Sequence, residues 1–215
     1  MNIDMQRSAE RGSAKYDWLY TRHSFSFSNY YNPKRMNFGL LRVLNEDIIE
    51  PGKGFGTHAH DNMEIVTIVL EGALEHKDSM GNRGIIKTGE VQRMSAGTGV
   101  EHSEFNASKK EKGHFLQIWI DTKEQGIEPS YEQKAFSKST MKNKLLPLVS
   151  GKRSKGKQDS LYLHQDAVML KGNLDKGHYV SYKLDDSEHG AYVFVISGTI
   201  KIAGKTLEQG DAAGI

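Results

Sequence analysis

Two histidine-bearing segments, Gly56-Thr57-His58-Ala59-His60 and Gly99-Val100-Glu101-His102-Ser103-Glu104, restrict this 215-residue chain more than any other feature of it. In an extended strand residues i and i+2 project to the same face, so His58 pairs with His60 and His102 with Glu104. An HxH pair by itself also suits a solvated strand surface. Here it is embedded in an ordered context. Gly52, Gly54 and Gly56 lead in, the apolar run Ile65-Val66-Thr67-Ile68-Val69-Leu70 leads out, and Glu71-Gly72 closes with a turn. Gly89-Glu90 then opens a second strand that reaches Ala96-Gly97 and the His102 segment. If two strands so built face each other inside a barrel, three imidazoles and one carboxylate converge, a donor set that leaves open positions on a first-row metal ion.

The same residues resemble the pirins, a family within the cupin superfamily. The general cupin pattern has a first motif of Gly, HxH, Glu and Gly and a second of Gly, Gly, His and Asn. Gly52, His58, His60 and Glu64 match the first; Gly89, Gly97, His102 and Asn106 match the second. The Glu64 to Gly72 interval is one residue longer than that pattern and the Gly97 to His102 interval two longer, and both departures are what pirins show. The stretches Arg22 to Phe27, Leu41 to Asp47 and Gln92 to Gly99 also look like pirin signatures, and the likeness is strong over roughly residues 14 to 136.

This resemblance implies an all-β bicupin, two stacked antiparallel barrels of jelly-roll type, with a metal held in the first by His58, His60, His102 and Glu104. Glu64 is left to packing or to support of the ligands. The metal expected is iron(II), with manganese, nickel, copper, cobalt or zinc able to substitute; spacing alone does not choose among them, since imidazole suits several. Structural zinc is disfavoured because such sites usually contain cysteine, and the chain has none. The activity implied is opening of a flavonol such as quercetin by dioxygen, with Glu104 taking the proton of the flavonol 3-hydroxyl. The rival class is a regulatory protein whose metal tunes its contact with a protein partner. A sugar isomerase or epimerase is the third, and would want Lys, His or Tyr converging without a metal.

The absence of cysteine removes disulfides, thiolate metal sites and cysteine nucleophiles, and fits a reducing compartment. A net charge of +2 is too small to argue for nucleic acid. Residues 1 to 12 carry both charge signs and no apolar core, unlike a secretory leader, and no run of eighteen apolar residues occurs. The reading is a cytoplasmic monomer that meets neither membrane nor nucleic acid directly.

Along the chain, the aromatics of residues 13 to 31 are expected to pack in the core, with Phe25 and Phe27 alternating with serines as in a half-buried strand. Phe38 to Asn45 reads as a strand and Glu50-Pro51-Gly52 as a turn. Met80-Gly81-Asn82 reads as a hairpin turn. His76, flanked by charges, is expected on the surface or rim. Phe115 to Ile120 is the last strong strand of the first half, and Gly126 to Phe136 reads as linker, so the boundary is drawn between residues 1–130 and 131–215. The lysine-rich residues 138 to 158 read as a solvated loop or hairpin, because no aromatic interleaves the charges.

The second half echoes the first: Val195-Ile196-Ser197-Gly198 matches Val69-Leu70-Glu71-Gly72, and Gln209-Gly210-Asp211 matches Thr88-Gly89-Glu90. Leu184 and Asp186 then stand where His58 and His60 would, so the second barrel is expected to hold no metal. His178 and His189 are expected to be structural or exposed. The position matching His102 falls past Ile215, so the second barrel is expected to be open, or the natural product longer.

Overall fold

The computed structural model describes residues 3–151, 160–184, 186 and 188–215. Lys152, Arg153, Lys155 and Lys157 of the basic segment lie outside them. The first half is built from β1 (Asp4–Gln6), β2 (Gly12–Lys15), β3 (Leu19–His23), β4 (Leu41–Ile49), β5 (Gly54–His60) and β6 (Met63–Glu71). It continues with β7 (Ala73–Asp78), β8 (Arg83–Lys87), β9 (Glu90–Ser95), β10 (Val100–Asn106), β11 (Gly113–Asp121) and β12 (Ser130–Ala135). The second half contributes β13 (Leu146–Ser150), β14 (Leu161–Tyr162), β15 (Val168–Lys171), β16 (Tyr192–Phe194), β17 (Thr199–Ile202), β18 (Lys205–Glu208) and β19 (Ala212–Gly214).

Two antiparallel sheets make the first jelly roll. One has seven strands in the order β12-β9-β6-β11-β4-β3-β2, and the other four in the order β5-β10-β7-β8. The β-branched and apolar residues of β6 suit its place near the middle of the larger sheet, buried on both faces. Odd positions Ile65, Thr67 and Val69 face the interior of the roll. Even positions Val66 and Ile68 join Leu116, Ile118 and Ile120 of β11 in a core shared with Leu148, Val149, Leu161 and Leu163 of the second half. The halves are thus welded through the outer face of the seven-stranded sheet.

Glu64 belongs to that outer face. Fully buried, it accepts from Ser95 Oγ at 2.9 Å and from the His164 backbone N–H at 3.1 Å. The cupin-motif glutamate is therefore a packing residue, one that ties β6 to the second half.

Three expectations change. Residues 130–135 are not linker but strand β12, paired along its whole length with β9. An edge strand with every interior position only half-covered needs no apolar alternation, and Arg93 fastens it through Ser130 Oγ at 2.6 Å and Glu132 at 2.9 Å. The strand before Phe25 ends at His23, after which Phe25 turns into the shared core while Phe27 meets Trp119 edge-on at 5.3 Å. Tyr31, expected in the core, is exposed.

The second half forms smaller sheets, β14-β13-β15, β17-β18 and β1-β19-β16. The last is completed from the N-terminal region: β1 pairs with β19 from Asp4↔Gly214 to Gln6↔Ala212. Arg7 then meets Asp211 at 2.7 Å and the Ser8 N–H donates to the same carboxylate at 2.6 Å. Leu184 and Asp186 lie outside any strand, and His178 and His189 are exposed.

Candidate metal centre

The ligand-type side chains come together where β5 and β10 pair. His58 lies directly across the ladder from His102, and the register then shifts so that Glu104 faces Phe55. The extra residue sits in β5 at Gly56–Thr57, a one-residue bulge of the kind that re-aims a side chain. There the His58 Nδ1–H donates to the Gly56 carbonyl at 2.8 Å, which leaves Nε2 bare for a ligand. Close pairing of the two strands demands a glycine at 54, since a Cβ there would lie 2.1 Å from the Glu104 carbonyl oxygen.

His60 Nε2 stands 3.0 Å from His102 Nε2, and the rings of His58 and His102 are 4.5 Å apart. The sites differ in depth: His102 and Glu104 are buried, His58 and His60 only half so. Burial, reinforced by the neighbouring His58, pushes His60 down to about 4; burial with the charges of His58, His60 and His76 pushes His102 down to about 2. Both rings are neutral at ordinary pH, as a metal ligand must be.

Glu104 is held from the seven-stranded sheet. Thr67 Oγ1 donates to it at 3.3 Å and the Gln117 amide donates to its other oxygen. Gln117 is oriented in turn by the Trp119 indole N–H, which donates to its carbonyl oxygen at 3.1 Å, while Trp119 lies edge-on to His60 at 4.9 Å. Burial pushes the Glu104 carboxyl up to about 7, with the Asp47 charge adding to it. A cation placed beside it reverses that balance and favours the ionised form.

The four side chains singled out from the sequence thus meet in one region, in two overlapping sets. His58, His60 and His102 offer ligand atoms within 4.8 Å of one another; so do His76, His102 and Glu104. The second set corrects the reading of His76 as a surface residue, for it is fully buried. The signal was present in the alternation of β7. Leu74, His76 and Asp78 share one face, and an apolar Leu74 marks that face as the inner one. The sequence pattern does not single out Gln117 and Thr67, each the polar member of an otherwise apolar run, Phe115 to Ile120 and Ile65 to Leu70. Three imidazoles and a buried carboxylate, with two buried histidine nitrogens left without partners (Nδ1 of His76 and of His102), fit a divalent first-row ion.

Sheet topology and ligand cluster together define a bicupin with a histidine-rich centre in its first roll. The chain belongs to the pirin family: the family model described as Pirin matches residues 4–120, and that of the quercetinase C-terminal cupin domain matches residues 148–215. It is 43% identical over 213 residues to a quercetin 2,3-dioxygenase of Escherichia coli strain K12, covering 99% of this chain and 89% of that one. A pirin-like protein of Caulobacter vibrioides is 39% identical over 213 residues, with 99% and 90% covered. The crystal structure of the bacterial pirin YhhW from E. coli in complex with nickel(II) superposes with a TM-score of 0.92 at 41% identity, over 100% of this chain and 90% of that one. No helix among the described residues is long and apolar enough to cross a membrane.

Proposed function

We propose that this protein is a metal-dependent dioxygenase that opens flavonols such as quercetin, with His58, His60, His102 and Glu104 holding one divalent first-row ion, iron(II) in the first place. The observation that carries the reading is the pairing of His58 with His102 across β5 and β10, which gathers three imidazoles at the half-open edge of the roll beside a buried carboxylate. The relative named for this activity, at 43% identity along nearly the whole chain, and the nickel bound by YhhW support it.

An ion held by His58, His60, His102 and Glu104 would supply Lewis-acid polarisation of the flavonol's oxygens and an open position for dioxygen. The chain's own groups do the rest. Glu104, ionised beside the cation, accepts the 3-hydroxyl proton, and general-base help of this kind typically contributes ~10² to 10⁴ in rate. Gln117 and Thr67 fix the carboxylate oxygens, so that proton transfer has one geometry. Trp119, edge-on to both His60 and Phe27, is the aromatic group nearest at hand for a flat ring system. The product retains both oxygen atoms and carbon monoxide leaves.

The test is loss of flavonol absorbance, in air and under argon, with protein loaded in turn with iron, manganese, nickel and copper. Oxygen-dependent loss is expected with at least iron. None with any metal overturns the enzyme reading in favour of a metal-tuned regulatory protein.

A further inference from the structure

His76 is used by nothing described so far, and its surroundings are unusual for a structural histidine. It is 0% exposed, Tyr131 stacks on its ring at 4.7 Å, and the His102 ring lies 5.3 Å away. Its Nε2 meets Asp78 Oδ2 at 3.0 Å. Asp78 cannot follow the ring elsewhere, because the N–H groups of Met80 and Asn82 donate to its Oδ1 at 3.0 and 2.9 Å and the Asn82 amide to its Oδ2 at 2.9 Å.

A carboxylate fixed on Nε2 keeps the proton there and leaves Nδ1 as a bare lone pair. That nitrogen is buried with no hydrogen-bond partner, and so is Nδ1 of His102. Buried polar atoms are rarely left so, since an unpaired one forfeits its hydration with nothing in return. A carboxylate behind one nitrogen and an unshared pair on the other is how proteins prepare a histidine to bind a metal. Two more donors are in reach, for ligand atoms of His76, His102 and Glu104 all lie within 4.8 Å of one another.

We propose that His76, His102 and Glu104 form an inner cation position for a divalent first-row ion, set deeper than the position made with His58 and His60, sharing His102 and Glu104 with it and filled in alternation with it. Two neutral imidazoles and one carboxylate leave such an ion a net charge near +1, the same as the outer set with Glu104. The outer position opens to solvent through half-buried His58 and His60, whereas every inner ligand is at most 1% exposed. An ion there is shielded from chelators and reaches its place by way of the outer one.

The inference rests on the metal-binding reading of the outer site, and cobalt(II) separates the two. Metal-free wild type, His58→Ala/His60→Ala and His58→Ala/His60→Ala/His76→Ala are titrated with cobalt, following visible absorption and ions bound per chain, with circular dichroism to check the fold. Gln at 58 and 60 replaces Ala if the Ala variants unfold. The expected result is that the double variant still binds one cobalt and the triple variant none. Adding Asp78→Asn to the double variant should weaken it by about 10–100-fold, the usual effect of removing a ligand's supporting partner. A folded double variant that binds no cobalt, or a triple variant that binds as the double does, overturns the inner position and leaves the outer one standing. Binding unchanged by loss of His58 and His60 overturns the outer reading instead. A wild type that takes up none ends both.

Discussion

His102 is the imidazole that the two ligand sets share, so its loss should be felt more than that of any other histidine. His102→Ala is expected to remove metal altogether, while His58→Ala leaves a weaker site; atomic absorption of dialysed protein decides, and full occupancy in the His102 variant would sink the assignment. Glu104 carries the pH dependence. Burial holds it near 7 and holds His60 and His102 near 4 and 2. Above pH 5 those two rings have no proton for an incoming ion to displace, but Glu104 does until the pH passes about 7. Nickel affinity should therefore rise towards pH 7, by roughly tenfold per unit for one displaced proton, and flatten beyond. Calorimetry across pH 6 to 8 should show a slope one proton shallower for Glu104→Gln; identical slopes would exclude Glu104 as a ligand. The same variant should lose turnover far more than it loses metal.

Among elements, the β5–β10 pair matters most. Gly54→Ala would drive a methyl group into the backbone of Glu104 and Phe105, at 2.1 and 2.5 Å. Overpacking of that kind costs about 1–3 kcal/mol, and here it also pries His58 from His102. Urea unfolding and cobalt affinity should fall together; a loss of stability with affinity intact would show that the ladder does not set the ligand geometry. This pair was legible in the sequence because HxH and HxE both obey the two-residue period of a strand. What was not legible has a physical reason in each case. The β5 bulge depends on the register with a partner forty residues away. The charged neighbours of His76, Glu75 and Lys77, point outward and mask the inward face that it shares with Leu74 and Asp78. β12 lacked an apolar period because an edge strand leaning on Arg93 does not need one. The short strands of the second half answered to the echoed turn glycines, Gly198 and Gly210, both at positive φ.

Taken whole, the molecule is closed by β1. It covers one edge of β19, whose other edge is taken by β16. A chain starting at Ser8 would leave β19 as an open edge with unpaired N–H and C=O groups and would lose the Arg7 ion pair with Asp211. Lower thermal stability and faster amide exchange at Ala212 to Gly214 are expected; exchange unchanged by the truncation would mean that β1 merely rests on the surface. This arrangement also has a consequence for synthesis. Asp4 emerges from the ribosome long before its partner Gly214, and at about 5–20 residues per second the delay is on the order of 10–40 s. During that interval β1 is an unmated strand, so the nascent protein seals the sheet that β1 shares with β19 only after the metal-binding roll has had time to form.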